Sequence, residues 1–572
     1  MTPMSTRRPE RPATPSEGRI PAAVSTPPPS VLAGAVGTLA ALVTLAVAEL
    51  VALMIDPASS PLLAVGSLVI DLVPSWVKDL VIALFGTNDK IVLLLCLGVV
   101  VAVLAVVAGV LEWRRTPWGT VVLTVVGVVA VIAATTRSGA TGTWAAPTVV
   151  GVVVGVFVLR VGSERLRAWI GADPRPRVAP ALPPLPGNDP TAPVGSSGGS
   201  AATASSRPDP SLAETAVDRR RFLVFTAATA VGALLVGVGS RVANAASAAA
   251  GAARRTLRLP TAATAAAPVP AGAELGIDGL SPVVTPNAGF YRIDTALQVP
   301  SIDPAEWTLR VFGEVEEEFE LTFDELLDLP MQESVVTLAC VSNEVGGDLI
   351  GNAVWLGYPL RELLARARPR EGADMVLSRS IDGFTAGTPL AVLQEEDRDS
   401  LIAVGMNGEP LPLEHGFPAR LVVPGLYGYV SATKWVTSLE VTRFSEARAY
   451  WTDRGWSAEG PVKTQSRIDV PTNRARVSAG RVAVAGVAWA QHTGIDRVEV
   501  RVDGGAWAAA QLAMAISADT WVQWVYPWDA TTGDHLIQVR ATDNGGTTQG
   551  EREVPVVPDG AEGWHTIEVT VA

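Results

Sequence analysis

Two thiols are available to chemistry in this chain, Cys96 and Cys340. Cys96 lies inside an apolar run, so a pairing with Cys340 is not expected. Two isolated cysteines build neither a disulfide framework nor a CxxC zinc site nor a cysteine-ligated iron–sulfur cluster. Cys340 closes the apolar stretch VVTLAC (335–340). A cysteine in that setting is either a small buried core residue or a soft thiolate able to hold a metal. The four histidines, His415, His492, His535 and His565, all lie beyond residue 400. His415 and Arg420 share the segment HGFPAR, and Lys434 follows in TKW. By themselves these three are charged residues on turns.

The elements that must position these groups are legible in the soluble half. WTLRVFG (307–313) alternates like a strand. Thr322 with Glu325 three residues on is a capping box that starts a short helix. VVTLAC is a buried-type strand, and Pro359 opens another short helix, so residues 275–448 are expected to be α+β. From about 460 onward RVAVAGVAWA, DRVEVRVDGGAW, HLIQVRATDN and WHTIEVTVA alternate between turns, and Asp503-Gly504 is a hairpin signal. Residues 449–572 therefore read as an immunoglobulin-like β-sandwich.

The first half has a different character. The whole chain is 48% hydrophobic and 18% charged, with a mean hydropathy of +0.30, which argues against both a single soluble enzyme and a wholly disordered chain. Residues 1–240 hold 18 basic against 14 acidic side chains, whereas the remainder is strongly acidic, with 26 against 43, which argues against nucleic-acid binding. Residues 31–54, 91–111, 117–136 and 146–163 are each about the ~20 residues needed to cross a bilayer. The segment 61–86 carries Asp71, Pro74, Lys78 and Asp79 and reads as an interfacial or loop helix. Arg7, Arg8, Arg11 and Arg19, then Arg114 and Arg115, then Arg165 and Arg167 fall on one side, the cytoplasmic side, if 61–86 does not cross. The expected order is a tail (1–30), a transmembrane domain of about four spans (31–163), a disordered linker (164–218), a fifth span (219–240) and an Ala-rich linker (241–274). Arg219-Arg220 with Phe222-Leu223, just before the fifth apolar run, resembles a twin-arginine export signal. Its implied partner is the export machinery that carries folded, cofactor-loaded proteins out of the cytoplasm. Ala243-Asn244-Ala245 has the small-x-small form of a cleavage site. The shortage of charge within the spans argues against a transporter or sensor, and Glu49, near the end of its span, reads as an interfacial carboxylate.

TLACVSNEVGGDLIGNAVWLGYPLRELL (337–364), NGEPLPLEHGFPARLVVPGLYGYVSATKW (407–435) and the terminal sandwich together resemble the sulfite oxidase family of molybdopterin enzymes over about 280–572. The resemblance implies an α+β molybdopterin-binding domain and an immunoglobulin-like domain, which completes a fold class of an all-α transmembrane bundle, read from the apolar runs, followed by these two domains. It implies Mo-molybdopterin as cofactor, with Cys340 as the molybdenum ligand. Asn287, Phe290, Tyr291, Arg292, Asp382, His415, Arg420, Thr433 and Lys434 take the positions of family cofactor contacts. No haem is expected, since there is no His-Pro-Gly-Gly motif, and no iron–sulfur cluster. Electrons would pass to or from a separate quinone- or cytochrome-linked carrier, and the C-terminal domain would allow a homodimer.

The departures concern the substrate. The adjacent arginines that follow the cysteine in sulfite oxidases are replaced by Asn343-Glu344-Val345, and Trp456 stands where those enzymes carry a catalytic tyrosine. Arg292 alone survives from the anion pocket, and Thr566 stands where an arginine is expected. Cys340, Arg292, Trp456 and Glu344 are thus the candidate catalytic residues. A carboxylate at Glu344 facing the metal would repel sulfite or nitrate. The expected activity is oxygen-atom transfer on a small substrate, sulfoxide-like in preference to sulfite, by a membrane-anchored extracytoplasmic enzyme. Sulfite oxidation, nitrate reduction and a catalytically inactive tethered binding protein are the alternatives.

Overall fold

A computed structural model describes residues 28–56, 59–73, 77, 89–137, 140–171 and 243–572. The N-terminal tail, most of the linker, Arg219-Arg220 and the fifth span lie outside the described residues. Four helices are long and apolar enough to cross a membrane: Pro29–Ile55, Val92–Arg114, Trp118–Thr135 and Gly142–Ile170. Each is Val-, Leu- and Ala-rich on every face, and Val99, Val103, Val125, Val128, Val153 and Phe157 point outward, the pattern of a helix that meets hydrocarbon. Pro61–Leu72 has 12 residues and is about 18 Å long at 1.5 Å per residue, too short for a ~30 Å hydrocarbon core.

The chain divides into two units, one of Met1–Thr44, Val99–Val126 and Val152–Ala233, the other of Leu45–Gly98, Gly127–Gly151 and Leu234–Ala572. In the first, Gly37 and Gly109 face one another so closely that a Cβ on either would strike the other helix's backbone. The second contains the α+β domain and the C-terminal domain.

The α+β domain is built on two sheets. One runs Phe319–Thr322, Thr308–Gly313, Val436–Thr442, Met375–Ser380, Thr385–Pro389, with Thr308–Gly313 parallel to Val436–Thr442 and the other pairs antiparallel. The other runs Gln332–Ala339, Ile350–Pro359, Leu401–Met406, Glu409–Pro410, with Arg420–Val422 also pairing Leu401–Met406. The capping box forms as expected: Glu325 donates its N–H to the Thr322 hydroxyl, and the Glu325 carboxylate accepts the Thr322 N–H. Trp307, Leu309, Trp435, Leu421 and Val441 fill the core.

The C-terminal domain is a sandwich of two sheets. Gln465–Val470, Gly480–Trp489, Val522–Ala530 and Gln511–Leu512 form one; Ala475–Val477, His565–Val571, Gly533–Asp543, Ile495–Val502 and Ala508–Ala509 form the other. Val484, Val498, Trp524, Val539 and Ile567 fill the space between them. Asp503 (φ 50°) and Gly504 (φ 68°) both adopt the left-handed conformation that a tight hairpin turn requires.

Two expected boundaries move. Residues 449–464 belong with the α+β domain, because Trp451, Trp456 and Val462 pack into its core. The stretch 241–274 is more than a linker. Ala243–Thr256 is a helix, Arg254 donates to the Pro410 and Leu411 carbonyls and pairs with Glu409, and Thr264 bridges to Gln332. Alanine-rich composition concealed this, because the anchoring comes from one arginine and from backbone pairing.

Candidate active site

The strand Gln332–Ala339 delivers Cys340 to a tight loop. Its N–H donates to the Leu349 carbonyl at 2.9 Å, and Asn343 N–H donates back to the Cys340 carbonyl at 3.1 Å. The Ser342 N–H points at Sγ at 3.4 Å. Burial pushes the thiol's pKa above the usual cysteine value, opposed by the Ser342 contacts and the Lys434 charge. A thiol so placed needs a cation or a metal to become a thiolate in a buried setting.

Cys340 opens into a cleft with about 900 Å³ of empty space, the open solvent at its mouth included. Arg420 lies in its wall, 5% exposed, on the short strand Arg420–Val422. It donates to the carbonyls of His415, Leu421 and Ala432 and lies over the Trp355 ring. Among the described residues it pairs with no carboxylate, and burial lowers its pKa to about 10. His415 ends a single 3-10 turn and brings Nε2 to 3.2 Å from the Asn287 carbonyl. A carbonyl can only accept, so Nε2 carries the proton. Burial first, then the Arg420 and Lys434 charges, lower the His415 pKa to about 4, so the ring is neutral at pH 7. Lys434 bonds the Asp294 carboxylate and the Glu414 carbonyl. Burial lowers its pKa to about 8 against the pull of Asp294.

Of the residues expected from sequence, Phe290, Tyr291, Cys340 and Asp382 line the cleft, as do His415, Arg420, Lys434 and Trp456. Four do not. Asn287 bonds Glu409 and Asn407 and reaches the site only through its carbonyl on His415. Thr433 is buried against the Ser378 hydroxyl at 2.7 Å. Arg292 is held by Asp294 at 2.8 Å. Glu344 is exposed and outside the cleft, because the Asn343 turn, closed by Asn343 Oδ1 on the Leu349 N–H and by Gly347 N–H on the Glu344 carbonyl, carries it outward. The expected repulsion of sulfite or nitrate is conditional on Glu344 facing the metal, and its place outside the cleft removes that condition.

Residues not anticipated complete the site. Asp294, 3% exposed, accepts from both Lys434 and Arg292. The one sequence signal was its place two residues after Arg292 in YRID, which puts the two on the same side of an extended segment. Trp451 and Tyr429 flank Trp456, with ring centroids 6.1 and 5.8 Å away. Together they make one wall of the cleft aromatic. Ser380 adds to the lining a buried hydroxyl without a hydrogen-bond partner among the described residues.

These residues fit a molybdopterin. A thiol for the metal, a buried guanidinium with only carbonyl partners and an ammonium converge on one deep cleft, which is the donor set that an anionic, phosphate-bearing group with a thiolate-held metal requires.

Residues 296–451 match the oxidoreductase molybdopterin binding domain, and residues 465–569 match the bacterial Ig domain. Mitochondrial sulfite oxidase of Homo sapiens is 29% identical over 342 residues, covering 50% of this chain and 62% of that one. The uncharacterized oxidoreductase YuiH of Bacillus subtilis (strain 168) is 34% identical over 158 residues, covering 28% of this chain and 76% of that one. The crystal structure of the sulfane dehydrogenase SoxCD from Paracoccus pantotrophus aligns with a TM-score of 0.46 at 24% identity, over 51% of this chain and 82% of that one. The chain spans less than two thirds of the length of the mammalian sulfite oxidases it matches, 62% for the human protein and 49% for that of Mus musculus.

Proposed function

The chain belongs to the sulfite oxidase family of molybdopterin-dependent oxidoreductases, and from that premise we propose that it is a membrane-anchored enzyme of oxygen-atom transfer acting on small, neutral or zwitterionic organic substrates of sulfoxide type. When bound, the cofactor's molybdenum supplies the two-electron oxygen-atom chemistry, and the protein supplies binding, orientation and electrostatics. Cys340 holds the metal. Arg420 and Lys434 meet the cofactor's anionic groups, and the neutral His415 offers Nδ1 as an acceptor while Nε2–H stays on Asn287. The observation that carries this reading is the meeting of the Cys340 thiol with a buried guanidinium that has no carboxylate partner among the described residues, in one cleft.

The substrate preference is supported by the aromatic wall of Tyr429, Trp451 and Trp456 and by the engagement of Arg292 and Lys434 with Asp294. Rings exclude water and favour apolar or polarisable groups, and cations already paired with a carboxylate attract a small anion less. Sulfite oxidation is the second reading. The outward position of Glu344 favours it, since no penalty from that side chain remains. The four long apolar helices support membrane anchoring. The arginine clusters support a cytoplasmic N-terminus, and Arg219-Arg220 supports export of the catalytic domain. An external electron carrier completes the cycle.

Elemental analysis of protein made in a molybdopterin-competent host tests the core of the reading. About one molybdenum per chain is expected, lost in Cys340→Ser. Zinc, or no metal, would overturn it and leave a tethered binding protein. Steady-state assays with sulfite and with methionine sulfoxide then separate the two substrate readings.

A further inference from the structure

Both arms of the chain on either side of Cys340 are held by the C-terminal domain. Upstream, Thr337 on the strand Gln332–Ala339 is engaged three ways. Its N–H donates to the Asp519 carbonyl at 3.0 Å, its hydroxyl accepts the Trp521 N–H at 2.9 Å, and its carbonyl accepts from Gln491 at 3.3 Å. Downstream, Arg467 Nη1 donates to the Gly347 carbonyl at 2.7 Å. That guanidinium is itself fixed, with Nε on Asp469 at 2.6 Å and Nη2 on the Ser281 hydroxyl at 2.8 Å, and its side chain is 9% exposed. Beside it His565 accepts the Ile468 N–H on Nδ1 at 2.9 Å and lays its ring against Gly346. Gly346 has φ 77°, and a Cβ there would collide with the ring. The stretch between these clamps is short, and it bears the thiol three residues after Thr337 and seven before Gly347.

We infer that Arg467 and His565 are positioning residues for Cys340: the C-terminal domain sets the pose of the thiol in the cleft and is a working part of the metal site. A buried arginine bridging three segments is an expensive way to join two domains. Its third bond goes to the carbonyl seven residues past the cysteine, where a shift of the loop turns the Cα–Cβ vector of Cys340. The consequence for the metal rests on Cys340 being its ligand, as proposed above, whereas the pose of the thiol can be read without any metal.

The test uses the full chain with Cys96→Ser, made in a host unable to synthesise molybdopterin, and measures the rate at which iodoacetamide labels Cys340. Arg467→Met is expected to raise that rate at least tenfold, His565→Ala to raise it in the same direction, and Arg467→Lys to stay within twofold of the parent. Val539→Ala loosens the C-terminal core without touching the loop and is expected to leave the rate unchanged, as is Arg474→Met at an exposed site. In cofactor-loaded protein, Arg467→Met is expected to alter the electron paramagnetic resonance signal of the reduced metal while retaining it. Unchanged labelling in folded Arg467→Met and His565→Ala overturns the inference, and so does an equal rise in Val539→Ala. Should Arg467→Met fail to accumulate, His565→Ala decides by the same measurement. Retention of molybdenum in Cys340→Ser would instead overturn the proposed function and leave the labelling result standing.

Discussion

Arg420→Met removes a charge that the protein buries without a carboxylate to balance it, and its effect should have opposite characters with and without cofactor. In the cofactor-free chain, burial lowers the guanidinium well below its ordinary value, to about 10, which corresponds to about 3 kcal/mol of strain on the charged form at about 1.4 kcal/mol per pKa unit. At 5% exposure little of this is screened by solvent. Methionine relieves that strain but leaves the His415, Leu421 and Ala432 carbonyls without their donor, at roughly 1 kcal/mol each. The two effects nearly cancel, so the cofactor-free variant should melt within a few degrees of the parent. The loaded protein should behave differently. If Arg420 makes two charge-assisted bonds to an anionic cofactor, at about 1.5–3 kcal/mol each, their loss should weaken retention by roughly 10²–10⁴-fold. Melting curves with and without cofactor, together with the molybdenum-to-protein ratio after exhaustive dialysis, read both halves. The parent should gain stability on loading by linkage, and the variant should not. A variant that keeps its molybdenum and its loading-dependent shift would refute the anion-cradle role of Arg420. One that unfolds without cofactor would show that the carbonyl bonds outweigh the buried charge.

Acid should destabilise the fold through His415. Its folded pKa of about 4 lies below the ordinary 6.5, so the unfolded chain binds the extra proton and stability falls as pH drops from 6.5 through 4, by about 3 kcal/mol in full; burial lowers His565 to about 4 as well, so denaturant titrations at pH 7 and pH 4.5 should show a loss from both rings, of which His415→Gln should remove about half. Trp451→Ala should raise KM for methionine sulfoxide about five- to tenfold, the worth of one aromatic contact of about 1–1.5 kcal/mol, while leaving any KM for sulfite within twofold; equal changes for both substrates would remove the aromatic wall from the account of selectivity. Replacing Arg219 and Arg220 together by Lys should strand the catalytic domain in the cytoplasm, read by protease accessibility in spheroplasts, with unchanged exposure counting against the export signal.

What could be read from the chain alone was whatever depends on near neighbours in sequence. An apolar run of 20-odd residues forms a helix in hydrocarbon because its own backbone satisfies every polar group, so the four long helices needed no tertiary information. The Thr322–Glu325 cap closes across three residues, and the Asp503-Gly504 turn across two. Cys340, His415, Arg420 and Lys434 could be grouped because two dense motifs carry them, and the fold does bring all four to one cleft. Where each side chain aims was decided by partners far along the chain. Glu344 turns outward because Asn343 closes the loop on Leu349. Lys434 is held by Asp294, 140 residues away, and Cys340 is framed by Arg467 and His565 from another domain. Residues 449–464 joined the α+β core rather than the sandwich because Trp451 and Trp456 find their cavity there. Such choices follow from the burial of a particular ring or the pairing of a particular charge. Those are properties of the assembled tertiary structure, and local sequence pattern carries no record of them.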